Sequence, residues 1–351
     1  SDLDLLFLLP EDVKDSELKV IEQVLNDLWS LGLTVGHSVR TIDECISQAE
    51  EDITAQTAML ESRFLMGDAN LYKKYTERME VQLNFVDFFR AKFIEQQQRH
   101  LRFQETTYAL EPNIKESPGG LRDLHIVTWI LKAAYLDAAK KNKEIPSLLT
   151  SYEQTKIHED MKTLFWLRIH VHLLVNRHED RLLFEIQESL AKELGFKADA
   201  DRRASEKLMQ QYYAVASSIE LLNDVILQAL KEHFVSVTKQ KGVKIGNGFL
   251  VKGDVLDTEN ENFYQNDPAM LLMPFVLATE HREINKFSTT IHRAYGNLDK
   301  RIPDNFASLD EVKSSFLKIL KAKKGVYHCL KEMNKLGILS KLIPPFGRIV
   351  G

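Results

Sequence analysis

The chain begins SDLDLLFLLP (residues 1–10), an apolar run with two aspartates at its start. The run predicts a β-strand over Leu3–Leu9 that ends at Pro10. A strand that is apolar on both faces is typically buried, and a buried carboxylate is costly unless it is paired or bound to a metal. Residues two apart on a strand share a face, so the carboxylates of Asp2 and Asp4 converge and suit Mg²⁺. The alternative is a strand end with two solvated carboxylates, because this spacing is common.

The segments that follow, up to about residue 70, predict a mixture of helix and strand. Ser16 is expected to cap a helix with apolar residues at helical spacing, which ends at Gly32. Residues 33–41 (LTVGHSVRT) alternate as a strand does. Residues 57–68 (TAMLESRFLMGD) fit a strand or a helix by periodicity alone.

The rest of the chain is predicted to be largely helical, which makes the fold class α+β and predominantly helical. Residues 241–254 are glycine-rich and predict a small hairpin. Asp267-Pro268 predicts a helix start, and Ser308–Glu311 (SLDE) predicts a capping box. The amphipathic helical stretches are residues 71–105, 122–141, 151–177 and 203–234.

The overall composition excludes several classes of protein. The net charge of −5 over 351 residues gives no sign of a surface for nucleic acid or for an anionic membrane. The two cysteines, Cys45 and Cys329, are far apart, so we expect a reducing, cytoplasmic setting without disulfides. The chain contains no HExxH, no G-x-S-x-G and no His-Asp dipeptide, so a metal phosphohydrolase site with a His-Asp pair is not encoded.

A second motif is the loop EPNIKESPGGLRDL (residues 111–124). Its Pro118-Gly119-Gly120 step predicts a tight turn that leads into a helix. Backbone amides at a glycine-rich helix start attract anions, and Lys115 and Arg122 add positive charge there. The loop is therefore a candidate triphosphate clamp, although it lacks the G-K-[ST] ending of a Walker A loop. The alternative is an ordinary loop between helices with solvated charges.

The motifs together resemble the family of bacterial PII uridylyltransferase/uridylyl-removing enzymes. The resemblance extends over essentially the whole chain, and the motif around residues 115–123 is shared with glutamine synthetase adenylyltransferase. The strings that carry it are SDLDLL (1–6), LGLTVGHSVRTIDE (31–44), AMLESRFLMGD (58–68), YALEPNIKESPGGLRDLH (108–125), LLVNRHEDRLLF (173–184) and FGRIVG (346–351).

The resemblance implies part of a polymerase-β-like nucleotidyltransferase sheet followed by helical bundle domains. It also implies Mg²⁺ as cofactor, UTP as donor and a tyrosine of the PII signal protein as acceptor. Asp2 and Asp4 match the metal-binding pair, and Glu61 is the best match for a third carboxylate. That match predicts a strand with Glu61 and Arg63 on one face, and Glu61 is also a candidate general base. The implied nucleotide-binding residues are Ser1, Lys115, Gly119, Gly120 and Arg122.

The resemblance also predicts the domain organisation. Residues 1–70 correspond to an N-terminally truncated nucleotidyltransferase domain and 71–235 to a helical PII-uridylyltransferase domain. Residues 236–351 correspond to a small hairpin and a helical linker that leads to an absent hydrolase domain. We therefore expect sequence upstream of Ser1, and we expect the chain alone to transfer poorly and not to remove uridylyl groups. Uridylyl removal by the isolated chain would contradict this.

Two alternatives remain open at this point. In the first, the chain is an adenylyl-transferring relative, and competition between UTP and ATP distinguishes it from a uridylyltransferase. In the second, its helical region is a non-catalytic scaffold that binds the signal protein, although a scaffold does not need the acidic residues at positions 2, 4 and 61.

Overall fold

The computed structural model describes residues 3–103, 107–141, 148–235, 242–296, 298 and 302–347, so Ser1 and Asp2 lie outside the described residues. The chain divides into two compact units that interleave along the sequence. Unit 1 comprises Ser1–Leu101, His125–Ser147 and Val175–Glu179. Unit 2 comprises Arg102–Leu124, Leu148–Leu174 and Asp180–Gly351. Each unit is described by itself.

Unit 1 begins with the predicted strand–helix–strand arrangement. β1 (Leu3–Leu9) pairs in parallel with β2 (Val35–Thr41), and α1 (Asp15–Ser30) connects them. The helix starts at Lys14 rather than at the predicted Ser16 cap, because the Lys14 N–H donates to the Glu17 carboxylate at 2.9 Å. Gly32 ends the connection as predicted, with a φ of 75°.

The first three helices that follow β2 along the chain pack on one face of this two-stranded sheet. Cys45, Ala49, Met59 and Tyr75 form a buried cluster, against which Leu6 and Leu8 of β1 pack. The helices that follow β2 along the chain are α2 (Ile42–Glu51), α3 (Ile53–Leu60), α4 (Ala69–Gln82), α5 (Phe85–Arg102) and α6 (Leu121–Lys140). They confirm the helical pattern predicted for residues 122–141 and, as far as residue 102, that predicted for residues 71–105, of which residues 104 and 105 lie outside the described residues.

Unit 2 is dominated by long helices and a small sheet. The predicted hairpin is formed by β3 (Val243–Gly246) and β4 (Phe249–Lys252), and β5 (Val255–Thr258) and β6 (Lys286–Phe287) extend it. The long helices are α7 (Ser151–Val175), α8 (Phe184–Glu193) and α9 (Ala204–Leu230).

Short helices complete unit 2 and share a core with the sheet. Asp267 caps a 3-10 turn as predicted, because its carboxylate accepts the N–H of Ala269 at 2.9 Å. The predicted capping box at Ser308 is wrong, since Ser308 belongs to the preceding 3-10 turn and the next helix begins after Leu309. These helices are α10 (Met273–Glu280), α11 (Thr289–Ala294), α12 (Asp310–Leu320), α13 (Val326–Lys335), α14 (Ile338–Leu342) and α15 (Pro344–Gly347). Their core includes Phe249, Phe275, Ile291, Ile319 and Met333.

The predominantly helical α+β class is thereby confirmed. The domain boundaries at residues 70 and 235 stay predictions, because the units are defined by contacts and each is built from separated stretches of chain.

Candidate active site

Asp4 lies near the beginning of β1 and is exposed. Its strand partner is Gly36 of β2. Since side chains alternate along a strand, Asp4 shares a face with Leu6 and Leu8. Those two leucines pack on the cluster formed by α2, α3 and α4, so Asp4 projects from the sheet face that these helices cover, at its exposed end.

The position of Glu61 corrects a prediction. Glu61 is the residue after α3, in a turn, and not in a strand with Arg63. The helix forms because the Asp52 carboxylate accepts the N–H of Thr54 at 2.7 Å, and because Ala, Met and Leu residues that favour helices follow. The side chain of Glu61 is exposed.

Three side chains fix the turn that carries Glu61. The Tyr75 hydroxyl donates to the carbonyl oxygen of Met59 at 3.2 Å, and the Tyr72 hydroxyl donates to that of Ser62 at 2.9 Å. Between them, the Lys132 ammonium of α6 donates to the Leu60 carbonyl oxygen at 2.5 Å. The Leu60 carbonyl belongs to the last turn of α3, where the end of a helix leaves carbonyls without partners, and the Met59 carbonyl also accepts the N–H of Ser62 at 3.2 Å. Glu61 is therefore an exposed carboxylate on a well-held turn.

Asp4 and Glu61 fit a hard divalent cation by their chemistry, because exposed carboxylate oxygens are the ligands that Mg²⁺ prefers. Among the residues that the structure describes, no three His, Cys, Asp or Glu side chains are grouped as metal ligands. Asp2 lies outside those residues, so the set of Asp2, Asp4 and Glu61 stays a prediction.

The glycine-rich loop belongs to unit 2, and its backbone amides are already engaged. The N–H of Gly119 donates to the buried Asp123 carboxylate at 2.7 Å, and that of Gly120 donates to the Ser117 carbonyl at 2.8 Å. The next two amides donate to the carbonyls of residues 114 and 115. The expectation that these amides attract an external anion is therefore wrong, and the nucleotide-binding role of the two glycines stays a prediction without that support.

Packing explains why two glycines occur in this loop. A Cβ atom on Gly119 would overlap the backbone of Ala216 in α9, and Gly119 has a φ of 75°. A Cβ atom on Gly120 would lie within 2.9 Å of three carbonyl oxygens of its own loop. The Asn223 amide of α9 also donates to the Asp123 carbonyl at 3.1 Å. The loop is thus docked tightly on α9.

The two predicted cations of this loop share one acid. Glu116 lies 3.9 Å from the Lys115 ammonium and 3.3 Å from the Arg122 guanidinium, and all three side chains are partly exposed. The three groups carry a net charge of +1. Lys115 and Arg122 are thus held together on an accessible surface, where they can interact with an anionic group.

The two most distinctive strings of unit 2 contact each other. The Ile114 N–H donates to the Asp180 carbonyl at 2.7 Å, and the Leu182 N–H donates to the Pro112 carbonyl at 2.9 Å. Glu111 accepts the N–H of Phe184 at 2.8 Å. The strings around residues 111–124 and 180–184 therefore form one local structure.

Asp180 anchors that structure through its side chain. Arg168 donates to both carboxylate oxygens, at 2.5 and 3.2 Å, and His172 lies 3.1 Å away. Partial burial alone would raise the pKa of Asp180, but the hydrogen bonds from Arg168 and His172 outweigh burial and hold that pKa below its usual range.

A large cavity in unit 2, of about 980 Å³, is lined by α7, α9 and the short helices. Three of its cations are paired with acids: Lys156 with Asp160, Arg293 with Glu153, and Lys335 with Asp224. Lys115 and Arg122 do not line it. The cavity is therefore distinct from the predicted nucleotide-binding residues.

Comparison with known proteins is decisive for the family. The model of the GlnD PII-uridylyltransferase family matches residues 87–227, and that of the uridylyltransferase GlnD third domain matches residues 249–342. Bifunctional uridylyltransferase/uridylyl-removing enzymes are similar over the whole chain: 40% identical in Bordetella parapertussis, 36% in Thiobacillus denitrificans and 34% in Ralstonia nicotianae. The chain belongs to the GlnD uridylyltransferase family.

Membership in the GlnD family confirms the recognition made from the motifs, and the family is one of nucleotidyltransferases. The chain covers 41% of the length of each of these relatives. No solved structure matches it. None of the helices in the described part of the chain is long and apolar enough to cross a membrane.

Several residues that shape the candidate site were not predicted. Lys132, Tyr72 and Tyr75 hold the Glu61 turn, and Asp123 fills the glycine turn. No local sequence pattern identifies the first three, because each acts on a segment that is distant or that was assigned to a different element. Asp123, by contrast, lies only four residues after Gly119 within the same motif. Gly36 did carry a signal, since a glycine inside a strand often marks a close approach.

Proposed function

We propose that this chain provides the nucleotidyl-transfer part of a uridylyltransferase, which transfers UMP from UTP to a tyrosine of the PII signal protein. The proposal rests on one observation: two exposed carboxylates are each carried by a rigid stretch of backbone. Asp4 projects from a strand, and Glu61 projects from a turn held by three hydrogen bonds. Exposed acids on fixed backbone suit chemistry that depends on positioned charge.

The acids would hold the cofactor. Asp4, together with Asp2, would bind Mg²⁺, and Glu61 is the candidate third ligand. When bound, Mg²⁺ polarises the α-phosphate and neutralises the leaving pyrophosphate. The carboxylates fix the donor relative to the acceptor hydroxyl, which lowers the entropic part of the barrier.

The transfer step itself is a single displacement. The tyrosine oxygen of the acceptor forms a bond to the α-phosphorus of UTP, and the bond from that phosphorus to the bridging oxygen breaks to release pyrophosphate. Glu61 is the candidate base for the phenolic proton. Lys115 and Arg122 would hold the triphosphate, and Glu116 keeps these two cations together until an anion binds.

An Asp4→Asn variant of the intact protein tests the proposal. We expect UMP transfer to fall on the order of 100-fold, because the loss of one charged ligand removes stabilisation that matters mainly in the transition state. Transfer is measured as UMP incorporated into PII. Asp12→Asn is the matched control, because Asp12 is an exposed aspartate just after the same strand. Full transfer by Asp4→Asn would contradict the proposal.

The same assay separates the alternatives. Competition between UTP and ATP identifies the donor, and preferred use of ATP would indicate an adenylyl-transferring relative. If both Asp4→Asn and Glu61→Gln keep full activity while the protein still binds PII, the chain is a docking scaffold and not the catalytic part.

A further inference from the structure

The glycine at position 36 of β2 is unusual for its place in the fold. It lies inside the strand and is paired with Asp4. Glycine weakens a strand, since its backbone loses the most freedom on folding and it offers no side chain to pack. Gly36 is not among the residues with positive φ, so its backbone does not require glycine. A different reason must account for the missing side chain.

The space beside Gly36 is filled by the Asp4 carboxylate. A Cβ atom on residue 36 would lie 2.5 Å from Asp4 Oδ1, and the next nearest atoms, Asp4 Cγ and the Leu3 carbonyl oxygen, would be 3.6 and 3.7 Å away. The single close contact is therefore with the carboxylate oxygen. The other two atoms lie at ordinary van der Waals distance from that Cβ position.

We propose that Gly36 is a positioning residue: its missing side chain lets the Asp4 carboxylate lie over β2, in the orientation that binds the metal. The inference rests on the proposed function of Asp4. Any side chain at position 36 pushes Oδ1 aside. Because that oxygen is the end of a rotatable side chain and Gly36 is exposed, the displacement costs little stability and acts mainly on the geometry of the ligand.

Gly36→Ala in the intact protein tests this, with Mn²⁺ binding measured by electron paramagnetic resonance as a readout separate from activity. We expect a Mn²⁺ dissociation constant at least 5-fold higher, a kcat for UMP transfer at least 10-fold lower, and an unchanged KM for PII. Ser38→Ala is the matched control, because residue 38 is the next residue on the same face of β2 and pairs with Leu6 instead of Asp4.

The outcomes separate the inference from the proposed function. If Asp4→Asn loses Mn²⁺ binding while Gly36→Ala binds Mn²⁺ and transfers UMP as the unmodified protein does, the role of Gly36 is refuted and the function stands. If Asp4→Asn itself binds Mn²⁺ and transfers normally, the proposed function fails.

A double variant tests the inference even if Gly36→Ala destabilises the fold. If Gly36→Ala lowers the melting temperature, the double variant Asp4→Ala/Gly36→Ala should be no less stable than Asp4→Ala alone, because it removes the carboxylate that collides. A stability loss of the same size in the Asp4→Ala background would overturn the inference.

Discussion

The carboxylate of Asp123 occupies the place where the sequence predicted an anionic ligand. It accepts the Gly119 N–H at 2.7 Å and is fully buried. The motif correctly indicated an anion beside a glycine turn, but that anion comes from the same chain, four residues on. The spacing alone does not distinguish an external phosphate from an internal acid, because both satisfy the same backbone donor.

Gly119→Ala should be strongly destabilising. The substitution combines a left-handed φ with an overlap on the Ala216 backbone, so we expect the free energy of unfolding to fall by about 2–5 kcal/mol. Urea denaturation measures it. Gly195→Ala is the matched control, since Gly195 has a φ of 83° and open space around its Cβ position. Equal losses in the two variants would show that close packing on α9 contributes nothing.

At the scale of elements, local patterns predicted β1, β2, the hairpin and the long helices. The error at residues 57–68 arose where periodicity was ambiguous and the family match favoured a strand; the Asp52 cap favours a helix there. β5 and β6 were missed because β6 has only two residues and pairs with β5 across about 30 residues. Short non-local pairs leave little trace in sequence.

The turn after α3 yields a prediction for Lys132. Lys132→Met removes the bond to the Leu60 carbonyl and should loosen the Glu61 turn, so we expect UMP transfer to fall about 10-fold while the free energy of unfolding changes by about 1 kcal/mol or less. Lys140→Met is the control, because Lys140 of the same helix donates to the Val81 carbonyl, which lies near the end of α4 and away from the Glu61 turn. Equal effects of the two variants on transfer would contradict a specific role for Lys132.

At the scale of the whole molecule, Asp180 links three separated stretches of unit 2: α7, the loop at residues 111–114 and the segment before α8. None of these contacts was predicted, because sequence motifs do not specify their partners in space. The resemblance did identify both strings as distinctive, and the structure shows that they form one local structure.

Acid titration tests this anchor. The pKa of Asp180 is lower when folded, so its contribution to stability is present above the unfolded pKa of about 3.9 and is lost as pH falls through the folded value. Asp180→Asn should reduce the free energy of unfolding by about 1–3 kcal/mol at pH 7, with the difference shrinking below about pH 4. Glu259→Gln, at an exposed surface pair, is the control and should change little. If the loss of unfolding free energy in Asp180→Asn did not depend on pH, the role of the Asp180 carboxylate as an anchor would be contradicted.

The interleaving of the two units along the sequence determines when each unit can be completed during synthesis. Unit 1 includes Val175–Glu179, and the stretches directly before and after it belong to unit 2. Domains tend to fold from the N-terminus as the ribosome extends the chain at about 5–20 residues per second. The strand that bears Asp4 emerges before the rest of unit 1, yet the unit is complete only when Glu179 has left the exit tunnel. The nascent chain therefore waits on the order of 10–30 s with its first unit unfinished, a period in which chaperone binding would protect it.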